Sequence, residues 1–221
     1  MKVIDLTHRI EEGMPVYPGT EGPKLRMANS YEKDGFKETL LRMYSHTGTH
    51  MDAPSHLYAQ GRSLDEFSVS RFVGLGVVID CLGLREGDKI GMSHIERQRE
   101  EAEKADFLLF CTGWDKYWGS EKYFGDYPTI DEEVARYIAE KGKKGVGLDV
   151  IGLDPIGDAD LPLHKIVLRS NETVIIENLK NLSRLGRELF TFCALPLHYI
   201  GGDGAPIRAV AIFDREKEEK V

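Results

Sequence analysis

Three of the seven histidines of this chain lie within eleven residues, in the stretch HTGTHMDAPSH (46–56). With one aspartate, the side chains that bind metals in this stretch are His46, His50, Asp52 and His56. Imidazole and carboxylate together suit Zn²⁺, Mn²⁺ or Fe²⁺, and a site without thiolates is more typical of catalysis than of structural zinc. Chance clustering on a polar loop is the alternative. The stretch predicts a catalytic metal centre.

A regular strand or helix would not bring these side chains together. A strand rises about 3.3 Å per residue, so His46 and Asp52 would lie roughly 20 Å apart on a straight one. Metal–ligand bonds are only about 2.0–2.2 Å long. A continuous helix is equally unsuitable, because Pro54 interrupts it. Gly48 lets the backbone bend, so we expect a bent loop at a strand end, with Pro54 fixing its exit.

Short apolar runs bounded by glycine, aspartate or proline predict the strands that position this loop. These runs are 3–6, 39–44, 76–82, 107–112, 146–150, 174–176, 190–195 and 207–213. Capping boxes at 93–96 and 129–132 predict helices that run to about Lys104 and to a stop at Gly142. Strands and helices alternate from 76 to 150, which is typical of parallel pairing, and the flanking regions look mainly β. The prediction is a mixed α/β fold.

The 221 residues contain no Ser/Gly-rich or Pro-rich linker, which favours one domain over 1–214, followed by a short charged tail at 215–221. The sequence GGDG at 201–204 lacks the lysine of a phosphate-binding loop and predicts a turn before the last strand. No second domain and no nucleotide-binding motif is therefore expected.

Composition argues against two classes of partner. The formal net charge is −8 and no Lys/Arg run exists, which argues against a nucleic-acid partner. Apolar runs such as 76–82 are far shorter than the roughly 20 residues of a membrane-spanning helix. The N-terminal residues 1–13 carry charges throughout instead of an apolar signal core. We therefore expect a cytoplasmic protein that binds neither nucleic acid nor membrane.

The stretch HTGTHMDAPSH matches the H-x-G-T-H-x-D-x-P-x-H signature of the cyclase-like metal-dependent hydrolases, a family that includes kynurenine formamidases (arylformamidases) and isatin hydrolases. The resemblance extends to DLTHRIEEGMPVYPG near the N-terminus, to LFCTGWDKYWG, to GLDVIGLDPIGDADLPLHKIVLRSNETVIIENLKNL, and to GGDGAPIRAVAI near the C-terminus. It implies a single-domain swivelling β/β/α fold with a mixed sheet. It also implies a homodimer or homotetramer.

Carried over residue by residue, the resemblance implies a binuclear metal site. His46, His50 and Asp52 would be metal ligands, and Asp52 would bridge two ions. His164 would hold the second ion, and Glu177 would bridge both. The family uses zinc and sometimes manganese, so two such divalent ions per chain are expected. Glu177 also ends an apolar run, where a carboxylate is rarely buried without a partner.

The function implied by the resemblance is hydrolysis of a small amide, such as the arylformamide N-formylkynurenine, with His56 as the acid/base residue. Tyr17 stands where the formamidase branch commonly has tryptophan, and the segment 115–128 looks more like the wider family, so the substrate stays open. Tyr17 and Trp114 are candidate substrate-binding residues, with ordinary packing as the alternative. The alternative functions are a cyclic-amide (isatin-type) hydrolase, a lyase or cyclase, and a non-catalytic metal-binding protein.

Overall fold

An eight-stranded sheet with both parallel and antiparallel pairs dominates the computed structural model. The structure describes residues 1–213, so the tail predicted at 215–221 lies outside the described residues. Two small sheets of two strands each accompany the main sheet. In chain order the strands are β1 (Lys2–Asp5), β2 (Lys24–Asn29), β3 (Glu38–Arg42), β4 (His50–Asp52), β5 (Val73–Asp80), β6 (Lys89–Ile90), β7 (Phe107–Cys111), β8 (Thr129–Ile130), β9 (Gly145–Leu148), β10 (Val174–Glu177), β11 (Phe190–Pro196) and β12 (Gly204–Phe213).

The main sheet closes on itself. Its strands follow the order β1-β12-β11-β5-β7-β9-β10-β4, and β4 pairs a second time, with β12. The ring therefore runs from β4 through β10, β9, β7, β5, β11 and β12 back to β4. Strand β1 stays outside the ring and pairs with the later part of β12. The closing strand β4 is only three residues long, is buried throughout, and belongs to the histidine-rich stretch.

Strands β5, β7, β9 and β10 are parallel neighbours, and helices connect them. This half of the sheet confirms the predicted alternation of strands and helices and the mixed α/β fold. Neighbouring residues of β5 face different cores, because side chains alternate along a strand. Val77 and Ile79 pack in the core that the helices cover, and Val78 packs in the core inside the ring.

The described part of the chain contains five α-helices. They are α1 (Tyr31–Asp34), α2 (Met92–Glu96), α3 (Arg99–Lys104), α4 (Glu132–Glu140) and α5 (Pro162–Leu168). The longest is α4, with nine residues. No helix in residues 1–213 is long and apolar enough to cross a bilayer.

Both predicted capping boxes are wrong. The predicted helix from 93 to 104 is two helices, because the buried Gln98 leaves the helical region at φ −137° and ψ 36°. Gly91 stands at the N-cap of α2, and no side chain caps it. Thr129 belongs to β8, which pairs with β6, so Asp131 caps α4 instead. The predicted stop is correct, since Gly142 has a φ of +62°.

A hairpin of β2 and β3 lies outside the ring. The predicted strand 39–44 is observed as β3, and its partner β2 was not predicted. All five residues of β3, and all of β2 but its last, are exposed. The hairpin is therefore not part of the packed core, and the chain leaves it to enter the histidine-rich stretch.

Candidate metal centre

The histidine-rich stretch bends as the sequence predicts. Gly48 adopts a φ of +67°, which a residue with a Cβ atom rarely adopts. The stretch then enters β4, and Pro54 opens a short 3-10 helix, Pro54–His56, immediately afterwards. The bend turns the ring of His46 back toward Asp52, whose Oδ1 atom lies 2.7 Å from His46 Nδ1.

Asp52 occupies the centre of the cluster. Its side chain is buried, and its two oxygen atoms face different histidines. Oδ1 lies 2.7 Å from His46 Nδ1 and 3.2 Å from His50 Nε2. Oδ2 lies 3.6 Å from His164 Nε2. A carboxylate in this position can contact two ions at once, one through each oxygen atom.

The pairing of β4 with β10 brings the distant residues to this centre. Glu177, the last residue of β10, stands directly opposite His50 in the register. Its Oε1 atom lies 3.1 Å from His164 Nε2, and its Oε2 atom lies 3.5 Å from His50 Nε2. Two groups have ligand atoms within 4.8 Å of one another, and they share Asp52. The first group contains His46, His50 and Asp52. The second contains Asp52, His164 and Glu177.

The two buried histidines are oriented through their second ring nitrogen. His50 Nδ1 lies 2.8 Å from the carbonyl oxygen of Gly48, which can only accept, so Nδ1 carries the proton and Nε2 offers its lone pair. His164 Nδ1 lies 2.6 Å from Asp154 Oδ2. Asp154 also accepts the backbone N–H groups of Leu163 and His164 at the start of α5. Both Nε2 atoms therefore point at the carboxylates of the centre.

His46 is the most exposed of the three histidines in the two groups that share Asp52, and its Nε2 atom lies 3.1 Å from Asp203 Oδ2. Burial alone would lower the pKa of His46, but the carboxylates of Asp52 and Asp203 raise it to about 10 in the metal-free protein. In the metal-free protein, protonated His46 therefore supplies the positive charge that these carboxylates face. A third group of ligand atoms within 4.8 Å consists of His46, His56 and Asp203.

His56 stands beside the two groups that share Asp52. Its ring centre lies 4.1 Å from that of His46 and 6.5 Å from that of His164. Its Nδ1 atom is 3.9 Å from Asp203 Oδ2, which is too long for a hydrogen bond. Burial lowers the pKa of His56 below its usual value, and the charge of Asp52 offsets only part of that effect. At neutral pH its ring is therefore uncharged and able to accept a proton.

A cavity of about 460 Å³ opens onto the centre. Its apolar wall contains Pro15, Val16, Ile151 and Leu161. Tyr17 lines the same cavity, and its hydroxyl donates a hydrogen bond to the carbonyl oxygen of Ile156.

Trp114, predicted as a second substrate contact, is only 4% exposed and lies in the core instead. Its Nε1 atom donates to the carbonyl oxygen of Tyr123, and its ring packs against Tyr117. In residues 1–213 Trp114 is not among the side chains that line this cavity. The prediction for Trp114 is therefore corrected: its role is ordinary packing.

The model of a protein family described as Putative cyclase matches residues 4–155. The chain belongs to this family. A kynurenine formamidase of Geobacillus thermodenitrificans is 31% identical over 208 residues, which are 93% of this chain and 95% of that relative. The solved structure of isatin hydrolase A from Labrenzia aggregata, bound to benzyl benzoate, is 26% identical, with a TM-score of 0.83, and covers 95% of this chain and 93% of its own.

A structure described as a predicted metal-dependent hydrolase from Bacillus stearothermophilus is 29% identical to the chain, with a TM-score of 0.77. The similarity covers 95% of this chain and 97% of that one. The family resemblance predicted from the histidine-rich stretch is therefore confirmed.

Two residues of the centre of this family member were not predicted. Asp154 orients His164, and Asp203 contacts His46, but neither lies in the histidine-rich stretch. The turn predicted at 201–204 is confirmed, since residues 201 and 203 form a turn and a bend before β12. Aspartate is a common turn residue, so its presence in GGDG did not indicate a contact with His46.

We expect Gly204→Ala to weaken metal binding. A Cβ atom at this position would lie 2.5 Å from His46 Cε1, and the backbone is fixed because Gly204 pairs with Asp52 between β12 and β4. The His46 ring must therefore move away. Overpacking of this kind typically costs about 1–3 kcal/mol in the free energy of unfolding. Urea denaturation and a competition assay with a chelator measure the two effects.

Gly186→Ala is the control for this variant, because its added Cβ atom would meet only Glu188 Cγ, at 4.0 Å. Unchanged stability and metal affinity in Gly204→Ala would contradict the close contact with His46.

Proposed function

We propose that this protein is a metal-dependent hydrolase of small amides and that arylformamides such as N-formylkynurenine are its substrate class. The observation that carries the proposal is the position of Asp52, a buried carboxylate whose two oxygen atoms face histidines from two separate parts of the fold. Relatives named kynurenine formamidase, and a structural neighbour named isatin hydrolase, support amide hydrolysis at this site.

The side chains of the centre fit divalent cations. Buried carboxylates are costly unless positive charge accompanies them, and Asp52 and Glu177 are both buried. Nitrogen and oxygen donors without sulfur suit zinc, and also manganese. We propose that one ion is held by His46, His50 and Asp52. The second would be held by Asp52, His164 and Glu177.

The ions, when bound, polarise the amide carbonyl group and lower the pKa of water. The remaining steps belong to the side chains. Asp52 and Glu177 keep the three imidazoles in place through the contacts described above. His56, uncharged at neutral pH, accepts a proton from the attacking water and transfers it to the leaving nitrogen. Its position beside the ligands, and outside the two groups that share Asp52, supports this role.

The cavity supports an aromatic substrate of modest size. Its volume of about 460 Å³ lies within the usual range of small-molecule sites, about 300–1,000 Å³. Its lining combines apolar residues such as Val16 and Ile151 with the histidines and carboxylates of the centre. We propose that the aryl group packs on the apolar wall, close to Tyr17, with its amide directed at His56.

A substrate panel tests this function. Metal-loaded protein is incubated with N-formylkynurenine, isatin and a simple lactone, and turnover is followed by absorbance. We expect the arylformamide to be hydrolysed fastest. Faster hydrolysis of isatin would identify a cyclic-amide hydrolase, and a dehydrated or ring-closed product would identify a lyase. If fully metal-loaded protein turns over none of these substrates, the result would support the alternative of a non-catalytic metal-binding protein.

Elemental analysis tests the metal content separately. We expect the purified protein to contain close to two divalent ions per chain, because the two groups of ligands share only Asp52. Prolonged chelation should abolish activity, and added zinc or manganese should restore it. A content near zero after growth in metal-supplemented medium would contradict the metal centre, and a content that saturates at one would contradict its binuclear form.

A further inference from the structure

We infer that Asp203 is a positioning residue for His46 and that the turn before β12 thereby sets the affinity of one of the two proposed metal positions. This inference rests on the proposed function, because it concerns the same ligand set. Three observations carry it: the exposure of His46, the hydrogen bonds of Asp203, and the contact between His46 and the backbone of Gly204.

His46 depends on a hydrogen bond more than the other ligands do. Its side chain is 23% exposed, whereas those of His50 and His164 are 5% and 6% exposed. Gly48 and Asp154 orient the two buried rings, whereas the His46 ring is partly open to solvent. An exposed imidazole can also carry its proton on either nitrogen, and only the nitrogen without a proton binds a metal. Something must therefore select both the orientation and the tautomer of His46.

Asp203 is placed to make that selection. The Nδ1 atom of His46 faces Asp52, and its Nε2 atom lies 3.1 Å from Asp203 Oδ2. A carboxylate accepts hydrogen bonds, so Asp203 favours the tautomer with the proton on Nε2. The lone pair of Nδ1 is then directed at the centre. Carboxylates that hold metal-binding histidines in this way commonly change metal affinity by about 10- to 100-fold when they are removed.

Asp203 is itself attached to both ends of the bend that contains His46. Its Oδ2 atom accepts a hydrogen bond of 3.3 Å from the hydroxyl of Ser45, the residue before His46. Its backbone oxygen accepts one of 2.9 Å from the N–H group of Ala53, the residue after Asp52. The carboxylate therefore keeps its position relative to the proposed ligands on either side of it.

Gly204, the residue after Asp203, leaves room for the His46 ring because it has no side chain. A Cβ atom at Gly204 would lie 2.7 Å from the same His46 Nε2 atom that contacts Asp203. The ring thus lies directly against the backbone that follows Asp203. This contact and the hydrogen bond together hold the ring from two sides.

The distances indicate that Asp203 acts on His46 and not on His56. Asp203 Oδ2 is 3.1 Å from His46 Nε2 but 3.9 Å from His56 Nδ1. If Asp203 acted on His56 instead, its removal would slow proton transfer and leave metal affinity unchanged. Metal affinity therefore separates the two roles without any measurement of activity.

The experiment compares the full-length protein with Asp203→Ala and Asp203→Asn. Each protein is stripped of metal and titrated with Zn²⁺ in competition with a chelating indicator. We expect Asp203→Ala to lower the affinity for one of two ions by about 10- to 100-fold and to leave the other unchanged. Asp203→Asn should lose less, because its amide oxygen still accepts from His46 Nε2.

Asp65→Asn is the matched control. Asp65 Oδ1 accepts a hydrogen bond of 3.0 Å from the N–H group of Gly201 in the same turn. The control removes one negative charge beside the same turn, but it leaves the contact between Asp203 and His46 intact. We expect it to bind both ions as the unchanged protein does. Thermal unfolding of the metal-free proteins shows whether each variant is folded. If Asp203→Ala does not fold, the Zn²⁺ titration of Asp203→Asn is used in its place.

Wild-type affinity for both ions in Asp203→Ala would overturn the inference, and so would an equal loss in Asp65→Asn, because the effect would then belong to the turn or to net charge. A loss shared equally by both ions would also overturn it. Failure of the unchanged protein to bind Zn²⁺ in this titration would instead reject the metal centre itself.

Discussion

Asp52→Asn is expected to abolish hydrolysis and to reduce the metal content to one ion per chain or fewer. Asparagine keeps the shape of the side chain but loses its charge, and its amide group presents N–H donors to histidine nitrogens that need to bind a cation. Because Asp52 belongs to both groups of ligands, both metal positions are weakened. The loss of rate should exceed the roughly 10²–10⁴-fold effect of a missing acid–base group.

Bound metal and turnover are measured on one preparation of the Asp52→Asn protein. Asp160→Asn, a change of the same kind at an exposed position, is the control and should behave as the unchanged protein does. Near-normal turnover with a full complement of metal in Asp52→Asn would show that Asp52 is not the bridge.

His56→Ala is expected to keep its metal and to lose about 10²–10⁴-fold in rate, the usual contribution of general acid–base catalysis. His56 lies outside the two groups that share Asp52, so its removal leaves their ligand atoms unchanged. The substrate would still bind, because the apolar wall of the cavity is intact. The expected signature is therefore a large fall in kcat with little change in KM.

The control for His56→Ala is His198→Ala, which removes an exposed imidazole. Metal content and turnover are again measured together. Loss of metal along with loss of rate would make His56 a ligand, through the third group that it forms with His46 and Asp203. Full metal with unimpaired turnover would remove His56 from the mechanism.

The sequence predicts the centre as far as local spacing reaches. His46, His50 and Asp52 lie within seven residues, and only a bend at Gly48 was needed to bring them together. Glu177 was assigned through the family resemblance, and the structure places it opposite His50. That meeting depends on which strands pair, and strand pairing is a long-range property that the spacing within one segment does not contain.

Other features were missed for the same physical reason. Asp203 meets His46 across a sequence separation of 157 residues, so no local pattern could indicate it. The helix expected from 93 to 104 has good local propensity, but tertiary contacts of Gln98 interrupt it; its side-chain amide donates to the carbonyl oxygen of Arg187. Trp114 has loop neighbours typical of a binding site, yet burial decided its role. The alternation of strands and helices, which depends on local patterns, was correctly predicted.

The short closing strand has a consequence for how the protein is made. The ring is complete only when β4 lies between β10 and β12, and β12 begins at Gly204. A growing chain on the ribosome can fold its strand–helix–strand units early, because they are local, but contacts of such high sequence separation form late. The turn that holds Asp203 is synthesised after all the other residues of the proposed centre. Tight binding of the proposed ions would therefore report that the ring has closed, and a chain that stops before β12 would lack the closed site.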